Sequence, residues 1–181
     1  MMRAFITPFI PLTVRGKHAL GMLLTLHAAT GALIGELAST PAAAFGLGFL
    51  SHFALDIFPH GDRMIAKATK STGKAARYYI LVGIDALAAV AFFFPAFALG
   101  RFDHPFLAYL GLLGGLLPDL IVAIPEYALF IKKGYRVRLR WFYRLHVYMH
   151  DRIIRAFDTM PLKFGIAFQV AILALMWKMW K

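Results

Sequence analysis

The longest apolar stretch of this chain, residues 105–131, has the sequence PFLAYLGLLGGLLPDLIVAIPEYALFI. A helix needs about 20 residues to cross the hydrocarbon core of a bilayer, and this stretch contains only two acidic residues and no basic one. Three further stretches of this kind lie at about residues 18–37, 41–58 and 79–99. A fifth, at about 162–177, is shorter, and both a thin span and an interfacial helix fit it. The four longer stretches therefore predict transmembrane helices.

The composition of the whole chain supports this prediction. Of its 181 residues, 60% are hydrophobic and 16% are charged, which is more apolar than an ordinary soluble domain. A net charge of +11 would indicate nucleic acid for a soluble protein. Here Lys and Arg lie between the apolar stretches, so we expect membrane lipids with anionic headgroups as partners and no nucleic acid. We predict that residues 1–181 form one polytopic, all-α integral membrane domain with four to five transmembrane helices.

Basic residues also predict the orientation of these helices. They cluster before the first stretch, between the second and third, and after the fourth, whereas the other two connections hold only Arg101 between them. By the positive-inside rule, the amino terminus and both basic loops are cytoplasmic. Within the last basic segment, residues 136–158 carry apolar side chains near the helical period with Arg between them. This pattern predicts a basic amphipathic helix on the cytoplasmic surface.

Several ionisable side chains interrupt the apolar stretches, and five of them fall in the predicted cytoplasmic half, whereas Glu36 lies at the outer end of the first stretch. An ionisable group in hydrocarbon costs several kcal/mol unless it is paired, hydrated or bound to an ion. Snorkelling or separate ion pairs explain any one of them, but independent accidents would scatter such groups through both leaflets. We therefore expect a common site. The residues at similar depth are His27, His52, Asp56, Asp85 and Asp119.

The spacing of these residues suits a metal ion. His52 and Asp56 are four positions apart on one helical face, so both side chains can reach a single ion. His146 and His150 have the same spacing in the amphipathic segment. Because the chain has no cysteine, thiolate ligands are excluded, and imidazole with carboxylate favours zinc among divalent metals. The Gly31 and Gly35 pair would let another helix approach the His27 segment closely.

Three positions are candidates for catalytic roles. Asp119 follows Pro118, and a proline kink with a carboxylate at its elbow suggests the wall of a site, with Asp119 as a bridging ligand or a base. An ordinary kink whose aspartate caps the next half-helix is the alternative. His60 and Asp62 lie just past the second stretch, where either can act as a general acid at the mouth of the site.

Four segments, taken in order, carry a family resemblance: HAATGALIGE (27–36), GFLSHFALDIFPHGD (48–62), GGLLPDL (114–120) and RLHVYMHD (144–151). They resemble small bacterial proteins described as membrane-bound, predicted metal-dependent hydrolases, a group distantly similar to zinc-dependent phospholipase C. The resemblance implies a helical protein of the bacterial inner membrane with a divalent metal site. The ligands that it implies are His27, His52, Asp56, Asp119, His146 and His150.

One of these segments departs from the phospholipase pattern. The H-x-x-x-D spacing of His52 and Asp56 resembles a metal-binding pair of those enzymes. The H-x-x-x-H of His146 and His150, however, stands where they have His with Glu.

Three functions remain open at this point. The first is a metal-dependent hydrolase that acts on a phosphoester or phospholipid headgroup at the cytoplasmic leaflet. The second is a metal or proton transporter, which intramembrane His and Asp residues also suit. Conduction needs polar groups through the outer leaflet, however, and the outer halves of these stretches are nearly pure Ala, Leu, Phe and Gly. The third is a structural membrane protein in which a metal joins helices without catalysis.

Overall fold

The structure, a computed structural model, describes residues 23–57, 75–132, 139–157 and 162–180. Every regular element in these ranges is a helix, so the all-α prediction is confirmed for this part of the chain. The helices are α1 (Leu24–Glu36), α2 (Pro41–Leu55), α3 (Ala75–Ala98), α4 (Pro105–Ile131), α5 (Arg140–Phe157) and α6 (Leu162–Met179).

The helix bounds follow from local sequence. The bounds of α4 are those predicted for the longest apolar stretch. At the start of α2, the Thr40 side chain accepts a hydrogen bond from the backbone N–H of Ala43 at 3.2 Å, and Pro41 occupies the first turn. A side-chain acceptor before a proline is typical of a helix start, because the first N–H groups lack partners within the helix.

Two helices are long and apolar enough to cross a membrane, through Ile80–Ala98 of α3 and Pro105–Pro125 of α4. By contrast, α1 has 13 described residues and so reaches only about 20 Å, less than the roughly 30 Å of a hydrocarbon core. The α2 helix, with 15 residues, is also short. The described ranges thus support two candidate spans, and the predicted four to five transmembrane helices are not confirmed.

The α3 helix presents an apolar surface to its surroundings. Only 22% of its candidate span is buried within the protein, against 39% for that of α4. The core helix of a soluble protein would be mostly buried, because exposed apolar area is unfavourable in water. Its outward side chains include Ile80, Ile84, Leu87, Val90 and Phe94. This surface suits contact with lipid tails.

Glycines bring the backbones of α1, α2 and α4 into direct contact. A methyl group on Gly111 of α4 would overlap the carbonyl oxygen of Gly31 and the Cα of Gly35 in α1. A methyl group on Gly48 of α2 would overlap the same Gly111 backbone from its other side. Any side chain here would force the helices apart, so these glycines set the separation of the three helices. We refer to α1, α2 and α4 as the glycine-packed trio.

Of the remaining helices, α3 and α6 lie alongside the trio, and α5 packs at one end of it. At one end, α6 meets α3 and the connection after it: the Arg101 guanidinium lies 4.9 Å from the Trp177 ring centroid and donates to the Trp180 carbonyl at 3.3 Å. At the opposite end, Phe142 and Tyr143 of α5 pack with Val122 of α4. The predicted amphipathic helix therefore exists, with one face seated on the trio.

Replacing Gly111 with alanine should destabilise the protein strongly. The added methyl group has no space, and overpacking of this kind costs about 1–3 kcal/mol. Gly83→Ala is the matched control, because Gly83 lies within α3 with nothing near its Cβ position and alanine has the higher helix propensity. Thermal unfolding in detergent should show a lower Tm for Gly111→Ala alone. Equal Tm values for the two variants would contradict the close packing.

Candidate metal centre

Four helices deliver five ligand-type side chains to one place. His27 comes from the second turn of α1, His52 from the last turn of α2, and Asp56 from the position that ends α2. The other two are Asp119 in the middle of α4 and His146 in α5. Two overlapping groups, one of His27, His52 and Asp119 and one of His52, Asp56 and His146, each have ligand atoms within 4.8 Å of one another. These groups can hold a metal ion.

Distances within the cluster match those between ligands of one ion. Asp56 Oδ1 lies 3.4 Å from His27 Nε2, and Asp56 Oδ2 lies 3.4 Å from His52 Nε2. Asp119 Oδ1 lies 3.6 Å from His52 Nε2 and 3.7 Å from His146 Nε2. These separations exceed ordinary hydrogen-bond lengths. Two ligands of one tetrahedral zinc ion lie roughly 3.3–3.6 Å apart, and three of these four separations fall in that range.

A backbone contact orients the central ligand. His52 Nδ1 lies 3.0 Å from the carbonyl oxygen of Gly115 in α4. A carbonyl oxygen only accepts, so Nδ1 carries the proton and Nε2 of the neutral ring presents its lone pair to the cluster. Metal-ligating histidines are commonly oriented in this way by their second nitrogen. The Nε2 atom of His146 lies 3.1 Å from Nε2 of His52. Two lone pairs at this distance would repel each other, so a proton or a cation must lie between the two nitrogens.

His27 gives a second indication of an ion. Its side chain is fully buried, and its ring stacks on that of His52 with 4.0 Å between centroids. Neither ring nitrogen has a hydrogen-bond partner among the described residues. A buried polar atom without a partner costs about 1–3 kcal/mol. Coordination by Nε2, which faces Asp56, would offset that cost.

The charges of the cluster also fit a divalent cation. When ionised, Asp56 and Asp119 bring two negative charges into a cluster whose other members are histidines. A divalent cation between them would be attracted by both carboxylates. The rings of Phe53 and Phe142 pack against His146 and reduce its contact with solvent. The residues present therefore suit a divalent ion, and the absence of thiolate agrees with a hard or borderline metal.

One side of the cluster is open. The side chain of Asp119 is 28% exposed, whereas those of the other four candidate ligands are nearly or fully buried. The fully buried Pro118 precedes it within a continuous α4 helix. Because proline has no N–H, α4 lacks one internal hydrogen bond at this level. The predicted wall position of Asp119 thus corresponds to the accessible edge of the cluster.

Asp85 lies outside both groups, although its depth suggested that it would join them. Its carboxylate accepts hydrogen bonds from the backbone N–H groups of Leu24 and Thr25 and, at 2.7 Å, from the Thr25 hydroxyl. These are the first donors of α1, which have no partners within their own helix. Asp85 thus caps α1 from the neighbouring helix α3.

Sequence reasoning missed two polar groups that position the site. The role of the Gly115 carbonyl could not be predicted from the sequence, because any backbone oxygen can accept a hydrogen bond. Gln169 of α6 is buried, and its side-chain oxygen accepts from the backbone N–H of Leu23 at 2.7 Å. A single amide in the apolar middle of the helix, between Lys163 and Lys178, was the available indication for this residue.

The positions of three other predicted site side chains are not described by the structure. His60 and Asp62 lie outside the described residues. His150 lies on α5, but its side chain is also outside the described part.

Comparison with known proteins gives no match: no family model, no curated protein and no solved structure matches this chain. Its class therefore follows from the structure itself. The described part is an all-helical protein with two helices suited to a membrane and a buried His/Asp cluster that can hold a metal ion.

His52→Ala should abolish metal binding. His52 belongs to both groups of ligands. Removing a residue that hydrogen-bonds to a ligand lowers metal affinity roughly 10–100-fold, and removing a direct ligand should lower it further. His104→Ala is the control, because His104 is exposed before α4, at the other end of the trio. Elemental analysis after equilibration with zinc should find metal in the wild type and in His104→Ala only. Full metal content in His52→Ala would refute the centre.

Asp85→Ala should weaken the start of α1 by about 2 kcal/mol, because it removes the acceptor for two helix N–H groups and a buried hydroxyl. Asp85→Asn keeps one acceptor oxygen and should lose less. Thermal unfolding of both variants measures the difference. If Asp85 had no capping role, neither variant would differ from the wild type.

Proposed function

We propose that this protein is a membrane-embedded, metal-dependent hydrolase acting on a phosphoester or phospholipid headgroup. The proposed zinc ligands are drawn from His27, His52, Asp56 and His146, and Asp119 acts as a bridging ligand or as the base. One observation carries the proposal: the side chain of Asp119 is 28% exposed, whereas those of the other four candidate ligands are at most 7% exposed. Structural zinc sites are closed and often cysteine-rich, whereas catalytic sites combine His with carboxylate and keep one side accessible.

The residues at the accessible edge provide the acid–base chemistry of the proposal. When bound, a divalent ion supplies Lewis acidity toward a phosphoryl oxygen and a nucleophile at neutral pH. The Asp119 carboxylate can accept a proton from a water molecule that enters there. The buried rings of His27 and His52 hold their positions through stacking and the Gly115 carbonyl. His60 and Asp62 stay candidates for the general acid that protonates the leaving group.

The location of the site supports a lipid substrate. The cluster lies at the end of the trio where α2 finishes and α1 begins. Three basic segments join the helices at this end: one precedes α1, one follows α2 and one follows α4. We propose that this end faces the cytoplasm from the bacterial inner membrane, with the amino terminus on the same side. Lys and Arg there would bind an anionic headgroup next to Asp119.

Transport is the weaker proposal, because the route away from the site is filled. Toward the other end, Gly31, Gly35, Gly48 and Gly111 hold the three backbones in contact. Past them lies an apolar cluster that includes Ala32, Ala108 and Leu112. An ion leaving the site in that direction would have to pass this apolar packing before it reached the carboxylate of Glu36 at the far end of α1.

The test is a hydrolysis assay on purified, zinc-loaded protein in mixed lipids. Wild type and His104→Ala should release phosphate or headgroup, and His52→Ala should release none above background. Bound zinc without hydrolysis of any lipid or phosphoester would refute the proposal in favour of a structural metal. Zinc flux into proteoliposomes that depends on His52 would refute it in favour of transport.

A further inference from the structure

The α5 helix has two different apolar faces. One face is buried: Phe142, Tyr143 and His146 pack against α2 and α4, and His146 reaches the metal centre. The second consists of Trp141, Leu145 and Tyr148, which are 67%, 45% and 56% exposed. Their spacing of four and three residues places them on one side of the helix. We call these three residues the outer face of α5.

The chemistry of the outer face fits an anionic lipid surface. Arg140 and Arg144 flank Trp141 along the helix, and the chain as a whole carries a charge of +11. Tryptophan and tyrosine favour the level of lipid headgroups, and arginine next to them pairs with anionic lipid. At the same end of α4, the exposed Tyr127 follows the candidate span. Apolar, aromatic and cationic groups thus occur together where a membrane surface would lie.

The attachment of α5 differs from that of the glycine-packed trio. Backbone contacts hold the trio together, whereas the described side chains by which α5 packs on it form a cluster around Phe142, Tyr143 and Val122. Yet α5 supplies His146, whose Nε2 lies 3.1 Å from that of His52. The position of α5 therefore decides whether the centre has its third imidazole.

We propose that binding of the outer face of α5 to anionic lipid and binding of the metal are coupled through His146. Lipid that holds α5 on the membrane surface also holds its buried face on the trio, which completes the ligand set. Thermodynamic linkage makes this coupling reciprocal: metal bound through His146 strengthens lipid binding by the same factor. The inference rests on the proposed metal centre, but it does not require catalysis.

The experiment compares zinc affinity in two membranes, one of phosphatidylcholine alone and one with phosphatidylglycerol added. A metal buffer sets the free zinc concentration, so that zinc bound by the lipid itself does not affect the result. Wild type should bind zinc roughly 10-fold more tightly in the anionic membrane, within the usual range of coupling between two sites. The double variant Trp141→Ala, Leu145→Ala should lose most of that difference. Both replaced side chains are exposed, so the fold should persist.

Two control variants separate the coupling from other effects. Phe106→Ala removes an equally exposed aromatic ring at the distant end of α4 and should keep the lipid dependence. His146→Ala should bind zinc more weakly but equally in both membranes.

Several results would overturn the coupling. One is equal affinity of the wild type in both membranes, and another is full lipid dependence in His146→Ala. A change of oligomeric state in the double variant Trp141→Ala, Leu145→Ala would instead indicate that the outer face of α5 forms a contact between two copies of the protein. Absence of zinc in every membrane would refute the metal centre itself, and with it the proposed hydrolase. Lipid-dependent zinc binding without hydrolysis would leave the coupling intact and refute only the catalytic proposal.

Discussion

Direct contact between the α4 backbone and two neighbouring helices is the constraint on which the rest of the structure depends. Helices with ordinary side chains at their contact pack with axes about 8–10 Å apart. The glycines of α4 allow a closer approach, and Gly115 does so at the metal centre itself. A methyl group there would overlap the His27 carbonyl oxygen, and the Gly115 carbonyl accepts from His52 Nδ1. One residue without a side chain thus lets the backbone of His27 approach closely and orients the imidazole of His52.

Close packing of this kind also explains how a polar cluster persists in an apolar protein. Buried carboxylates and imidazoles are unfavourable unless their charges and hydrogen bonds are matched. In this centre the Gly115 carbonyl matches one ring nitrogen of His52. The carboxylate oxygens of Asp56 and Asp119 lie at distances from the histidine Nε2 atoms that suit a shared cation better than direct hydrogen bonds. Binding of an ion would therefore contribute to stability as well as to function.

The two buried aspartates near the start of α1 show how different roles arise from similar positions. Asp56 faces the imidazoles of His27 and His52. Asp85 faces the first backbone N–H groups of α1. Both carboxylates act on the same helix, one at a side chain and the other at its positive end. Because His27 lies only two residues after Thr25, the cap at Asp85 helps to set the place from which His27 reaches the centre.

The sequence by itself determined where the helices of the described part lie. Apolar run length, a proline in the first turn and an amphipathic period are local properties, so the bounds of α4 and the existence of α5 followed from them. It also identified the residues of unusual polarity and the close approach at Gly31 and Gly35. Only the tertiary structure decided which polar residues meet. It gathered His27, His52, Asp56, Asp119 and His146, and it turned Asp85 toward a helix end instead. That choice depends on how each helix is rotated and how closely it packs, which backbone contacts between distant segments determine.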